Sequence, residues 1–299
     1  MIVSASRRTD IPAYYFPWFL ERLKKGEVLV RNPMNLHQVS RVLLNKESVD
    51  GIVFWSKYPA PMLKGLSELD PYPYYIQYTL NGYGKEMEGG LPDIWQRIGV
   101  FHALAERLGP ERMIWRYDPI LFSRDYTPVW HREKFKILAD ALAGSAGRCV
   151  ISFMDMYRRI QKKMKELDAR VPVQEEMLWI GEEFGRIAVD NGMEIQTCAE
   201  EIELEQFGIQ KGACIDQELL SRLAGRPLRL KKDKNQREAC GCAASVDIGC
   251  YDTCRSQCAY CYAVCGKRTR TERLLLYDKD SPFLCGRKAP EDVVKTRLL

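Results

Sequence analysis

Tyr74-Tyr75-Ile76-Gln77-Tyr78, the stretch Asp93 to Leu108, and Met113-Ile114-Trp115-Arg116-Tyr117 together decide the fold. The first and third are short runs of aromatic and β-branched residues, the composition that suits a pleated, buried strand. Between them Ile94, Ile98, Phe101, Leu104 and Ala105 recur at helical spacing and form one apolar face. Strand, helix, strand over this length is a βαβ unit, in which the two strands are parallel and the helix covers one face of the sheet.

The same alternation extends in both directions. Ile2-Ser6, Val28-Arg31 and Gly51-Trp55 precede the unit as strand signals, and Cys149-Phe153 and Met193-Thr197 follow it. Helical patterns lie at Pro17-Lys25, His131-Ala143 and Gln174-Asn191, the last closed by Asn191-Gly192. Seven strand signals in this order predict an α/β fold of the (β/α) TIM-like barrel type, complete or partial, over residues 1–225. From Arg226 the periodicity fades, and the Cys-, Gly- and Tyr-rich residues 226–299 have too few apolar side chains for a core of their own. They read as a cysteine-rich, metal-ordered tail that folds back on the barrel mouth.

Composition limits the function classes. The chain of 299 residues is 46% hydrophobic and 28% charged, with a net charge of +5. No apolar run is long enough for a membrane span, and Met1 to Arg8 runs apolar then basic, the reverse of a secretion signal. The expected location is the cytoplasm. Neither a dinucleotide-binding nor a phosphate-binding glycine loop follows any strand signal. The run Arg226 to Lys234 is locally basic, which reads as a solvated face or as a contact for nucleic acid. His37, His102 and His131 fall outside the strand ends, which argues against a metal-dependent hydrolase.

In a parallel barrel, reactive groups gather at the C-terminal ends of the strands. There the sequence places Arg7, Arg8, Arg31, Lys57 and Arg116, a cationic set suited to a carboxylate or phosphate. Asp10, Asp118 and Glu200 stand at the same ends as candidate proton carriers or ribose partners. The alternative reading is that some of these charges pair across the rim, Arg116 with Asp118 or Arg8 with Asp10, and only organise loops.

Eleven cysteines cluster towards the C-terminus, a pattern that in a reducing compartment points to metal rather than disulfides. Cys254, Cys258 and Cys261 are spaced Cys-x3-Cys-x2-Cys. Three such thiolates can hold a [4Fe-4S] cluster with one iron left open, which is what S-adenosylmethionine chelates. Tyr260, just before the third cysteine, presents a ring that can pack on adenine, and Tyr262 is placed with it as a cofactor contact. A zinc-binding tail and a disulfide framework are the alternatives at this spacing. Cys198, Cys214, Cys240 and Cys242 make a second, irregularly spaced set, able to close a second cluster or a zinc site, and the single residue between Cys240 and Cys242, fewer than zinc ribbons usually have, tilts the expectation towards a cluster. Cys250, Cys265 and Cys285 are possible substitutes in it, and Cys149, within a strand, reads as a small buried residue.

Cys254, Cys258, Tyr260 and Cys261 match the cluster motif of the radical S-adenosylmethionine superfamily. Over nearly its full length the chain resembles the bacterial DUF1848 family, whose members carry that cysteine cluster near the C-terminus. The resemblance is carried by Ser6-Arg7-Arg8-Thr9-Asp10-Ile11-Pro12, Val30-Arg31-Asn32-Pro33, Phe54-Trp55-Ser56-Lys57, Asp233 to Cys242, and Asp247-Ile248-Gly249 ahead of Tyr251-Asp252-Thr253-Cys254. It implies an enzyme that cleaves S-adenosylmethionine to a 5′-deoxyadenosyl radical, acts on an anionic substrate such as a nucleotide or nucleic acid, and draws electrons from a flavodoxin or ferredoxin. In the superfamily the cluster loop follows the first barrel strand, whereas here it follows residue 250. A binding module for nucleic acid, stabilised by zinc or a cluster, is the competing expectation, distinguished by affinity that falls steeply with salt.

Overall fold

The computed structural model describes residues 1–297. Its strands are β1 (Ile2–Ala5), β2 (Glu27–Asn32), β3 (Asn35–Leu43), β4 (Gly51–Ser56), β5 (Tyr74–Thr79), β6 (Met113–Ile120), β7 (Arg148–Phe153), β8 (Glu194–Cys198), β9 (Gln210–Gly212), β10 (Ser245–Asp247) and β11 (Val293–Thr296). Eight of them form one sheet in the order β10-β1-β4-β5-β6-β7-β8-β9, parallel throughout. The long helices Phe16–Lys25, Ile94–Leu108, Pro128–Leu142 and Gln174–Asp190 connect successive strands of the alternation.

Side chains alternate strictly between the two faces of this sheet. Val3, Ile52, Phe54, Tyr74, Ile76, Tyr78, Trp115, Tyr117, Cys149, Ile151 and Ile195 face the helices and share one core with Phe19, Phe101, Phe135 and Phe184. Ile2, Val53, Tyr75, Ile114 and Val150 face the other way and pack on Ile215, Leu219, Leu220 and Leu228. Each fully buried aliphatic or aromatic side chain contributes about 1.5–3 kcal/mol, so the helix-facing layer carries most of the stability. The helix at Ile94–Leu108 starts where the Asp93 carboxylate accepts from the Trp95 amide at 2.8 Å. The helix at Gln174–Asp190 stops at Gly192, whose φ of +65° only glycine adopts without cost.

Two expectations change. The sheet does not close: among the described residues its ladder ends at β10 on one side and β9 on the other. Alternating strands and helices fix parallel pairing, but closure depends on the tilt and stagger of all strands together, which no local pattern encodes. Val28–Arg31 does not belong to the large sheet. It lies in β2, antiparallel to β3, in a separate three-stranded sheet completed by β11. A run of four apolar and basic residues looks the same in a hairpin as in a parallel strand, since the partner decides. Within the residues read as a tail, β10 adds an edge strand beside β1. No helix among the described residues is long and apolar enough to cross a membrane.

Arg31 goes with its strand. Its guanidinium pairs with Asp292 and donates to the Arg287 carbonyl at 2.9 Å, and Arg31 is not among the residues that line the cavity at the strand ends. Arg31→Ala is therefore expected to loosen the pairing of β11 with β3, read as faster amide exchange at Val293–Thr296. Ligand binding at the rim should stay as in the wild type.

Candidate functional site

Polar residues replace apolar ones on the inner face towards the strand C-termini, and above them lies a cavity of about 440 Å³. Its wall takes residues from the ends of β1, β4, β5, β6, β7 and β8, from the segment around Asn235 to Cys242, and from the loop Cys254 to Ala263. Both cysteine sets line it: Cys254, Cys258 and Cys261 on one side, and Cys198, Cys214, Cys240 and Cys242 on another. Tyr260 and Tyr262 are also in the wall.

The cysteine loop is held by backbone contacts to the loop after β5. Ala259 N donates to Met87 O at 2.8 Å and Gly90 N to Ser256 O at 2.9 Å. Glu88 and Cys258 form an antiparallel bridge. From the other side Tyr15 Oη donates to Thr253 O at 2.6 Å and Tyr14 Oη bonds Ser256 Oγ at 3.1 Å. Gly90 is required by this approach, because a Cβ there would meet Arg255 O at 2.5 Å and Ser256 O at 2.7 Å, both backbone. Gly90→Ala is expected to destabilise the protein by about 1–3 kcal/mol and to weaken whatever the loop binds. Gly99→Ala, in a helix with nothing within 4 Å of the new Cβ, should instead raise stability by about 0.5–1 kcal/mol. Denaturant midpoints of the two variants, of opposite sign against wild type, check the pair.

Behind the loop sits a buried charge network that the sequence did not reveal. Glu88 accepts from Lys57 Nζ at 2.8 Å, Arg97 Nη1 at 3.0 Å and the Tyr260 hydroxyl. Burial pushes its carboxyl up, but the charges of Lys57 and Arg97 outweigh that and hold it down to about 2. Lys57 Nζ also donates to Tyr260 Oη at 2.8 Å. Lys57 is thus committed to Glu88, and Tyr260 is fixed by its hydroxyl with its ring among Tyr83 and Met87. The signal for Glu88 was its place in the polar run Gly82 to Gly90 immediately after β5.

The remaining sequence-predicted residues divide by partner. Arg116 pairs with Asp118 and donates to Cys214 Sγ at 2.8 Å; both Arg116 and Asp118 are in the wall. Arg8 lies 3.9 Å from Asp247, not against Asp10, with its guanidinium 5.1 Å over the Tyr251 ring. Asp10 caps the helix at Ile11–Tyr14 and accepts from Ser56 Oγ at 2.7 Å and Lys57 N at 2.8 Å. Burial raises its pKa against these donors. Glu200 turns to β7, accepting from Ser152 Oγ at 2.8 Å and Phe153 N at 3.0 Å; burial, the largest influence, raises its pKa. Tyr262 donates to Arg7 O at 3.2 Å and its ring lies 5.1 Å from that of Tyr157.

Arg7 differs from the other cations. Its guanidinium lies 5.3 Å over Trp55, and its Nη2 is buried with no hydrogen-bond partner. Among the described residues four buried side-chain nitrogen or oxygen atoms lack a partner, and two of them, Arg7 Nη2 and Thr9 Oγ1, belong to residues of this wall. Burial opposes the Arg7 charge, yet nearby Cys242, Cys214 and Asp247 raise its pKa. Asp247 orders this corner, accepting from Ser4 Oγ, Ser6 Oγ, Arg7 N and Gly249 N. Arg237, in the same wall, pairs with Asp155 at 2.7 Å.

Cys149 is buried in β7, and His131 is buried in its helix between Tyr117 Oη and Leu121 O, its pKa lowered by burial to about 4. Neither lines the cavity. Among the described residues no three or more His, Cys, Asp or Glu side chains stand ready-made around a common centre.

No curated protein matches the chain. The model of a domain of unknown function, DUF1848, matches residues 2–263, a span that takes in the whole large sheet, both cysteine sets and the cavity between them. The chain belongs to the DUF1848 family.

Proposed function

We propose that the protein is an iron–sulfur enzyme of the radical S-adenosylmethionine type acting on an anionic substrate. The observation that carries this reading is one cavity whose wall holds Cys254, Cys258 and Cys261 together with the unpartnered Arg7 Nη2 and Thr9 Oγ1. The three thiols fit a cluster with one open iron: they come from one short loop and they line one cavity of about 440 Å³. Burial pushes each of them up, Cys261 to about 12, so their thiolate form needs a positive partner in the cavity.

When bound, the cluster would supply reductive cleavage of S-adenosylmethionine to a 5′-deoxyadenosyl radical, with a flavodoxin or ferredoxin as electron donor. The chain's own groups do the rest. Arg7 and Thr9 offer buried, unpartnered polar atoms to a carboxylate or phosphate. Glu88 and Lys57 hold the Tyr260 hydroxyl and so fix the orientation of its ring in the wall. Tyr262 adds a second aromatic surface beside Tyr157. All four long helices lie on one face of the sheet, which supports reading it as an incomplete barrel with its mouth at this cavity.

The nucleic-acid-binding alternative has less behind it. In the basic connector Arg226 pairs with Asp50 and Lys232 donates to Glu238 O, so part of its charge is engaged within the chain. Anaerobic purification with iron and sulfide analysis, then addition of S-adenosylmethionine and dithionite, tests the proposal. Formation of 5′-deoxyadenosine is the expected result. A protein that holds zinc alone and yields no cleavage product would overturn it.

A further inference from the structure

Three separate stretches of chain bring four sulfurs to one side of the cavity: Cys198 at the end of β8, Cys214 after β9, and Cys240 and Cys242 on the segment before β10. Cys198 Sγ and Cys214 Sγ are 2.7 Å apart. Cys242 Sγ accepts from the amide of Ile215, the residue after Cys214, and Cys240 stands two residues before Cys242. The four thus share one wall with two of their sulfurs in direct contact, whereas in the other set the Cys254 thiol turns to Ser256 Oγ at 3.5 Å.

This contrast separates a single ion from a cluster. Ligands around one tetrahedral ion with metal–sulfur bonds of about 2.3 Å stand roughly 3.8 Å apart, near van der Waals contact. In a cuboidal cluster each thiolate sits on its own iron, so the sulfurs are spread by the inorganic core between them. Donors are aimed at two sulfurs of the second set: Arg116 Nη1 donates to Cys214 Sγ at 2.8 Å and Ile215 N to Cys242 Sγ at 3.4 Å. Arg7 and Arg237 lie close enough to feel the same sulfurs. Four thiolates around a divalent cation leave a net negative charge, and these guanidinium groups are its counter-charge.

We propose that Cys198, Cys214, Cys240 and Cys242 bind one tetrahedral zinc ion in a closed structural site, separate from the Cys254 to Cys261 loop. The ion ties β8 and the β9 end of the open sheet to the segment that leads into β10 at its other edge. Cys198 and Cys214 stand closer than two ligands of one ion, so binding moves them apart by about 1 Å. The assignment holds whether or not the other three thiols carry a cluster.

Elemental analysis of a Cys254→Ala/Cys258→Ala/Cys261→Ala variant, purified under reducing conditions, separates the two sites. About one zinc per chain with no iron is expected, and cobalt in its place should give the visible bands of a tetrahedral four-thiolate site. Adding Cys242→Ser should remove the zinc. Where that fourth change prevents folding, the cobalt spectrum of the triple variant alone decides. A folded triple variant that binds no metal, one that holds about four irons with sulfide, or one with a Cys198–Cys214 disulfide under those conditions would each overturn the zinc site. Loss of 5′-deoxyadenosine formation in the same variant bears only on the cluster loop.

Discussion

Replacing Cys258 by alanine is expected to abolish the iron–sulfur chromophore of the anaerobically reconstituted protein, and Cys254→Ala and Cys261→Ala should do the same. A cluster held by three thiolates from one loop has no spare protein ligand, so each loss removes a bond the other two cannot replace. The loop itself should survive, because it is docked through backbone groups: Ala259 on Met87, Gly90 on Ser256 and Tyr15 on Thr253. The cost in folding stability without iron is therefore on the order of 1 kcal/mol. Cys149→Ala is the matched control, a buried cysteine in β7 that does not line the cavity, and should keep the full chromophore. Iron, sulfide and visible absorbance measured on all four variants beside wild type decide the matter. Equal iron in Cys258→Ala and wild type would sink the assignment.

Glu88→Gln should be the most destabilising single change in the buried charge network behind the cavity, by about 3–5 kcal/mol near neutral pH. The side chain is 2% exposed and neutralises Lys57 and Arg97 at once. Glutamine keeps the shape but leaves both cations buried without a counter-charge. The same pairing sets a pH dependence. The folded carboxyl titrates at about 2 against 4.5 for an ordinary glutamate, so its contribution is complete above about pH 4.5 and is lost as pH falls towards 2. Wild-type stability should fall through that window, and the variant, lower at neutral pH, should lack that part of the slope. Denaturant unfolding near pH 7 and near pH 3 measures both effects. A Lys57→Met/Glu88→Gln double variant should recover part of the loss, since it removes one of the two stranded charges.

Local pattern made several elements readable. Tyr74 to Tyr78 and Met113 to Tyr117 have the composition of buried strands and form them, as β5 and β6. The apolar stripe Ile98, Phe101 and Leu104 needs only helical spacing to be recognised, and it packs on the sheet as that spacing requires. Val28 to Arg31 shows the limit: its residues suit any strand, and only the partner β3 assigns it to the small sheet. Glu88 shows another. Nothing local distinguishes it from Glu86, two residues earlier, yet one is buried between two cations and the other is exposed.

The sequence by itself determined the parallel α/β alternation and the family, because periodicity, strand composition and motif spacing are local properties of the chain. It also marked the cysteines as one concentrated resource. Arg116 meets Asp118, a neighbour the sequence already offered, but only the tertiary structure decided how the other cations of the rim are used, since those answers depend on residues far away in the chain. Arg31 meets Asp292, Lys57 meets Glu88 and Arg8 meets Asp247, while Arg7 alone of the five keeps a buried nitrogen unpartnered beside the cavity. Charge pairing and sheet closure are set by distances between segments that share no sequence, and those distances exist only once the chain has folded.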